Sequence, residues 1–164
     1  METDSIVYHS PIGFIQISGS KDYITKVDFH DETPNITPFI ETEENVLLKF
    51  AFIQIKDYFE KKLKKFTFPI LQPGTHFQMA VWNELLEIPY GKTSTYLQLA
   101  KNLGDSKKLR AVGNANSRNN IAIVVPCHRV IGSDNDLTGY TGGLWRKEWL
   151  LRHEDAIPKT LFEV

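Results

Sequence analysis

The sequence predicts an α+β protein in two parts, a small α/β region with an antiparallel meander over residues 1–72 and a mostly helical region over 73–164. Three observations carry this. Apolar residues in the first thirty positions alternate between clusters of turn-forming residues. From Thr75 the apolar spacing changes to fours and threes. Two short segments joined at Gly104, the second of them basic, follow the plan of a helix-turn-helix.

Ile6–His9, Phe14–Ser18 and Tyr23–Phe29 are β-rich runs, separated by Ser10-Pro11-Ile12-Gly13 and Gly19-Ser20-Lys21-Asp22. Residues 30–41 hold three acids and two prolines and read as an exposed loop. Thr42 is then a candidate N-cap, with Glu43 and Glu44 in the first turn, where negative charge meets the positive end of the helix dipole. The helix that follows, to about Lys62, repeats Val46, Phe50 and Ile53 at helical spacing. Lys61, Lys62, Lys64 and Lys65 suit its solvated end. Phe66–Ile70 reads as a further strand, and Gln72-Pro73-Gly74 as a boundary.

Beyond Thr75, Phe77, Val81, Leu85 and Ile88 form one buried stripe that ends at Pro89-Tyr90-Gly91. Ser94 is a candidate cap for a helix over Thr95–Leu103, stopped by Gly104, and Ser106 for a third helix over Lys107–Ala115. That third helix contains Arg110-Ala111-Val112-Gly113-Asn114-Ala115-Asn116, a run of very small side chains, although Gly costs about 1 kcal/mol in a helix interior. Two readings account for it: a slim helix that enters a narrow DNA groove, or close packing against another helix. Ile121–Val125 is a buried-strand run leading into Pro126-Cys127-His128-Arg129-Val130. Trp145 and Trp149 sit at helical spacing and read as core.

The composition, 41% hydrophobic and 24% charged, is that of a globular protein. No stretch approaches the roughly 20 apolar residues that span a bilayer, and Met1-Glu2-Thr3-Asp4-Ser5 lacks the pattern of a secretion signal. A cytoplasmic protein with no membrane partner is expected. The net charge of −1 is unevenly spread. Residues 1–72 carry 8 lysines against 11 acids, whereas 92–118 carries Lys92, Lys101, Lys107, Lys108, Arg110 and Arg118 against Asp105 alone. A local basic stretch suits either an anionic partner or a solvated helix face. The single cysteine excludes an internal disulfide and a multi-cysteine zinc site. With only His9 and His30 as soft ligands in 1–72, neither a metal nor another cofactor is expected.

Around that cysteine the sequence resembles the O6-alkylguanine-DNA alkyltransferases, also called methylated-DNA–protein-cysteine methyltransferases. The resemblance rests on Pro126-Cys127-His128-Arg129-Val130, on Gly139-Tyr140-Thr141-Gly142-Gly143-Leu144, and on Lys147-Glu148-Trp149-Leu150-Leu151 with His153-Glu154. Upstream, Thr95-Tyr96-Leu97-Gln98-Leu99-Ala100 and Arg110-Ala111-Val112-Gly113 match in order and spacing, so the likeness covers about residues 75–154. It implies a ribonuclease-H-like N-terminal domain and a winged helix-turn-helix alkyltransferase domain.

The implied activity is direct reversal of damage in double-stranded DNA. The alkyl group of O6-alkylguanine, and of O4-alkylthymine as a further candidate, passes irreversibly to Cys127, one turnover per molecule. A free thiol near pKa 8.5 is only a few per cent ionised at neutral pH and needs a base. His128 is the adjacent candidate. Strand neighbours point to opposite faces, so a water bridge between the two is expected. By resemblance, Glu154 fixes the His128 tautomer, Asn119 ties the turn before the cysteine, and Tyr96 pushes the target phosphate and donates a proton to guanine. Arg110 takes the space left by the departing base. Tyr140, the Thr141 amide and the carbonyls of Cys127 and Val130 line the base pocket. Lys107, Lys108, Ala111, Gly113 and Asn114 join Arg110 at the DNA. Read without the family, His128 is a structural histidine, Tyr96 a buried aromatic and Arg110 a phosphate contact. Asn120 departs from the pattern, standing where most members have proline.

Two other classes compete. Binding-only relatives replace the nucleophile, typically by Trp, whereas Cys127 is present here. A Cys-His hydrolase needs an oxyanion hole, and no donor pair for one is legible. A one-shot reagent needs no partner subunit, so a monomer is expected.

Overall fold

The computed structural model describes residues 3–134 and 136–157 of the 164. The chain divides into two compact units, Met1–Gln72 and Pro73–Val164.

In the first unit, β1 (Asp4–Ser10), β2 (Gly13–Gly19) and β3 (Ile24–His30) form an antiparallel sheet in that order. The register pairs Ile6 with Ile17, and Ile15 with Phe29. Ile6, Ile15, Ile17, Ile24 and Val27 are buried from the sheet side, as alternation on a half-covered sheet requires. Thr42 does cap, but it caps a 3-10 turn (Glu43–Asn45), with Asn45 Oδ1 accepting from the Thr42 amide at 2.8 Å. The α-helix proper, α1, is Val46–Phe59. It buries Leu48, Ala51, Ile55, Tyr58 and Phe59, while Val46, Phe50 and Ile53 face solvent. The expected stripe is thus the outer one. The run VLLKFAFIQI is apolar on nearly every side, so helical spacing is satisfied by several faces and only packing selects between them. The strand expected over Phe66–Ile70 is reduced to one parallel bridge, Ile24 with Ile70.

In the second unit, α2 (His76–Leu86) starts on a capping box. Gln78 N donates to Thr75 Oγ1 at 3.1 Å, and Thr75 N to Gln78 Oε1 at 3.0 Å. Val81, Leu85 and Ile88 are buried as their spacing predicts. The two-residue strand β4 (Ser94–Thr95) leads into α3 (Tyr96–Asn102), capped by Thr95 rather than Ser94. Gly104 takes φ +89°, the left-handed geometry that ends helices. Asp105, not Ser106, caps the next segment, its Oδ1 accepting from Lys107 N at 2.9 Å. That segment is a 3-10 turn (Ser106–Lys108), and α4 runs over Leu109–Ser117. Trp82 of α2 anchors α4 by donating Nε1 to the Ala115 carbonyl at 3.0 Å. The remaining elements are a 3-10 turn (Cys127–Arg129), β5 (Val130–Ile131) and α5 (Leu144–His153).

Ile121–Val125 is not a strand. Ile123 has φ +71°, and Val124 N donates to Ala122 O at 2.8 Å, a γ-turn. A second tight turn follows at Pro126, where Cys127 N donates to Val125 O at 2.8 Å. Apart from a single bridge at Ile121, the apolar run is buried because the turn sits in the core rather than because it pairs. A left-handed β-branched residue costs roughly 1–2 kcal/mol, so neighbouring contacts impose this backbone. Trp145 is also a correction: it is 54% exposed. Trp149 is half-buried and stacks on His153 at 4.8 Å.

Candidate active site

The parallel pair β4–β5 sets Ser94 beside Val130 and Thr95 beside Ile131. It therefore brings the start of α3, with Tyr96, against the 3-10 turn that carries Cys127. The tight turns before that turn aim Cys127 inward, where it is 7% exposed.

Asn119 holds the turn. Its Nδ2 donates to the Val125 carbonyl at 2.8 Å and to Cys127 Sγ at 3.2 Å, and its Oδ1 accepts from Ile121 N at 3.0 Å. One side chain thus fixes the backbone and solvates the sulfur. Burial nevertheless raises the Cys127 thiol above its ordinary pKa, and the Asn119 hydrogen bond and the Lys147 charge offset only part of that. At neutral pH the resting group is the thiol, and a base is required.

His128 is fully buried on the same turn. Its Nε2 is 2.7 Å from Glu154 Oε2, and its Nδ1 is buried without a hydrogen-bond partner among the described residues. Burial lowers the imidazole pKa although Glu154 opposes this, so the ring is neutral at pH 7. Next to a carboxylate, a neutral ring carries its proton on Nε2, which leaves Nδ1 an open acceptor. Burial alone would raise the Glu154 carboxyl, but the hydrogen bonds from His128 and Arg129, with the Arg129 charge, hold it far below the usual carboxylate range. Arg129 donates Nε to Glu154 Oε1 at 2.7 Å, Nη2 to Oε2 at 3.2 Å and Nη1 to the Ile88 carbonyl at 2.7 Å.

Tyr96 Oη donates to the Thr138 carbonyl at 3.1 Å, and Lys147 Nζ donates to the same carbonyl at 2.9 Å. Lys147 is fully buried, which pulls its pKa down to about 8 against the opposing effect of Cys127. Tyr140 is half-buried and hydrogen-bonded to Cys127, and burial raises its phenol well above the ordinary value. Thr141 is exposed and ties its Oγ1 to the Ser117 carbonyl at 3.0 Å. Val130 is buried in β5. Lys107, Lys108, Arg110, Ala111 and Asn114 are all exposed, on α4 and the 3-10 turn before it. A Cβ built on Gly113 would meet only Tyr96 Cδ1, at 4.0 Å, so no neighbouring helix requires glycine there.

Cys127, His128, Glu154, Asn119, Tyr96, Tyr140 and Val130 thus gather around one centre, while Arg110 of α4 and Lys107 and Lys108 of the turn before it are exposed to solvent. Sequence reasoning passed over three residues of the centre. Arg129 stood inside the quoted motif, and an arginine among buried apolar residues signals a partner carboxylate. Lys147 lies three and four residues before the buried Leu150 and Leu151, on the same helix face. Asn116 shares the inner face of α4 with Val112 and Ala115 and is 4% exposed.

A buried thiol beside a neutral, carboxylate-keyed histidine, on a unit whose second short helix is led in by exposed Lys107, Lys108 and Arg110, defines a cysteine-nucleophile protein of the helix-turn-helix class. Comparison with known proteins supplies the family. Residues 76–156 match the DNA-binding domain of 6-O-methylguanine DNA methyltransferase, and residues 5–72 match the ribonuclease-like domain of the same proteins. The chain is 46% identical over 153 residues to a methylated-DNA–protein-cysteine methyltransferase of Methanosarcina acetivorans, covering 92% of this chain and 97% of that one. It is 42% identical over 157 residues to the Mycobacterium leprae protein of that name, covering 94% and 95%. Among solved structures, the Mycobacterium tuberculosis O6-methylguanine methyltransferase superposes with a TM-score of 0.82 at 38% identity, over 99% of this chain and all of that one. The Mycobacterium tuberculosis OGT in complex with DNA gives 0.81 at 39% identity, over 94% and 95%. The chain belongs to the 6-O-methylguanine DNA methyltransferase family.

Proposed function

We propose that the protein repairs double-stranded DNA by moving the alkyl group of O6-alkylguanine to Cys127 in a single, irreversible turnover. Its methylated-DNA–protein-cysteine methyltransferase relatives support the activity. The observation that carries the mechanism is the His128 ring, whose Nε2 is committed to Glu154 while its buried Nδ1 has no partner among the described residues. A water bridging Sγ and Nδ1 passes the thiol proton to the ring. The thiolate attacks the alkyl carbon, the carbon–oxygen bond breaks as the carbon–sulfur bond forms, and the electron pair leaves on guanine O6. Tyr96 supplies a proton to the departing guanine and regains one from the imidazolium through solvent, so that overall the thiol hydrogen is exchanged for the alkyl group. Glu154 stabilises the imidazolium while it exists. No step regenerates the thiol.

Chemistry on a base inside a duplex requires extrusion, at a cost of a few kcal/mol. The reading gives Arg110 the place of the departing base and gives Ala111, Gly113 and Asn114 the groove. Lys107 and Lys108 contact phosphates, so affinity falls with salt. Tyr140, the Thr141 amide and the carbonyls of Cys127 and Val130 hold the base. The reading takes the protein to act as a monomer, since a one-shot reagent needs no partner subunit, and places it in the cytoplasm. Among the described residues no helix is long and apolar enough to cross a membrane.

The test is transfer from duplex DNA carrying radiolabelled O6-methylguanine, followed by digestion of the protein. The expected result is at most one label per chain, on the Cys127 peptide, and none with Cys127→Ala. Label released as methanol, or more than one turnover, overturns the reading in favour of a hydrolase.

A further inference from the structure

Besides His128 Nδ1, which the proposed function uses, the centre holds a buried acceptor that no group of the described chain satisfies, Asn116 Oδ1. Asn116 turns Nδ2 toward the Cys127 carbonyl at 3.5 Å, and its side chain hydrogen-bonds the Tyr96 hydroxyl. Its Oδ1 is fully covered and accepts from nothing among the described residues. Buried acceptors are nearly always paired, because an unmade hydrogen bond forfeits the solvation the group had in water. The Asn116 amide lies between two groups the proposed function sets along one edge of the extruded base: the Cys127 carbonyl, which accepts from the exocyclic amine, and the Tyr96 hydroxyl. An N–H on that edge is the missing donor.

We propose that Asn116 is a specificity-determining residue, its Oδ1 sharing with the neighbouring Cys127 carbonyl one of the two hydrogens of the 2-amino group of the extruded purine, the other going to the Val130 carbonyl. This rests on the transfer reading above and deepens it. The chemistry of the lesion selects the donor. Alkylation at O6 removes the hydrogen from N1, so the 2-amino group is the only N–H left on the base. A thymine alkylated at O4 presents a carbonyl oxygen at position 2, and it meets Oδ1 lone pair to lone pair. A purine without the amino group leaves Oδ1 unpaired, and sites built around a substrate N–H reject such analogues strongly. Asn116 thereby favours guanine lesions over both.

The test measures single-turnover transfer to Cys127 from duplexes carrying O6-methylguanine or O6-methylhypoxanthine, which differ only in the 2-amino group. The unaltered protein is expected to react at least about tenfold faster with the guanine lesion; equal rates overturn the proposal. Asn116→Ala and Asn116→Leu are expected to lose about tenfold on O6-methylguanine and less than about twofold on O6-methylhypoxanthine, so that the ratio collapses. An equal loss on both substrates makes Asn116 a structural residue and overturns the proposal. Because the ratio is taken within one variant, it is independent of the fraction that folds, and alkylation of Cys127 by iodoacetamide reports the thiol without any base. Failure of the transfer reading is separate: the unaltered protein would then label Cys127 from neither duplex.

Discussion

Arg129 clasps Glu154 at two points, Nε on Oε1 at 2.7 Å and Nη2 on Oε2 at 3.2 Å, in the core of the second unit. The carboxylate that keys His128 is therefore itself held by a buried cation. Glu154→Gln keeps the shape but leaves that cation unpaired. Removing one partner of a buried pair costs about 3–5 kcal/mol, so urea unfolding should show a loss in that range. The single-turnover rate should fall by about 100-fold or more, because the ring loses the group that sets its tautomer. Unchanged stability would show that the clasp contributes nothing.

Acid should unfold the protein through the same cluster. The folded-state pKa values of both His128 and Glu154 are depressed. Below the unfolded-state value the unfolded chain binds the proton that the folded chain refuses. Stability is thus fully present above about pH 6.5, the ordinary histidine value, and declines as pH falls, more steeply below about 4.3, where unfolded glutamate protonates. Denaturant midpoints measured from pH 8 to pH 4 check this. A midpoint that stays level down to pH 5 contradicts it, and His128→Gln should flatten the window between about 5 and 6.5.

Gly113 separates stability from function. Its Cβ position is open apart from Tyr96 Cδ1 at 4.0 Å, so Gly113→Ala should stabilise α4 by up to about 1 kcal/mol in thermal unfolding. Should the slim helix enter a DNA groove, the same substitution weakens duplex binding. A gain in stability with unaltered binding would leave the small residues of α4 without a nucleic-acid reason.

Arg110→Ala touches an exposed side chain and should leave stability within about 0.5 kcal/mol. It should slow repair in duplex DNA by at least about tenfold while sparing the reaction with free O6-alkylguanine, because only the duplex demands extrusion. Tyr96→Phe should show the same direction with a smaller contrast, since its hydroxyl also serves the proton step. Rates on both substrates decide it; equal losses remove the extrusion role.

The meander was legible because Gly13, Gly19 and their polar neighbours punctuate alternating runs, and α2 because its stripe has one face. Caps were misplaced by one residue where two candidates adjoin, at Ser94 and Thr95 and at Asp105 and Ser106. Composition misled over Ile121–Val125, since β-branched residues also fill a buried turn, and no local signal announces φ +71° at Ile123. Of the site, Cys127 and His128 were readable from chemistry and Glu154 from resemblance. Asn116 and Lys147 were not, because a single polar residue on an apolar face becomes meaningful only once its distant partners, such as the Thr138 carbonyl, are known.

That carbonyl receives both the Tyr96 hydroxyl and the Lys147 ammonium. The loop walling the pocket and the phenol beside the sulfur therefore share one anchor point, and neither can be repositioned alone. Inserting or deleting a residue between Ser133 and Thr138 re-aims an oxygen more than thirty residues upstream in the chain. On the proposed function, lengths at this loop are constrained by a proton's path as much as by the width of the lesion they admit.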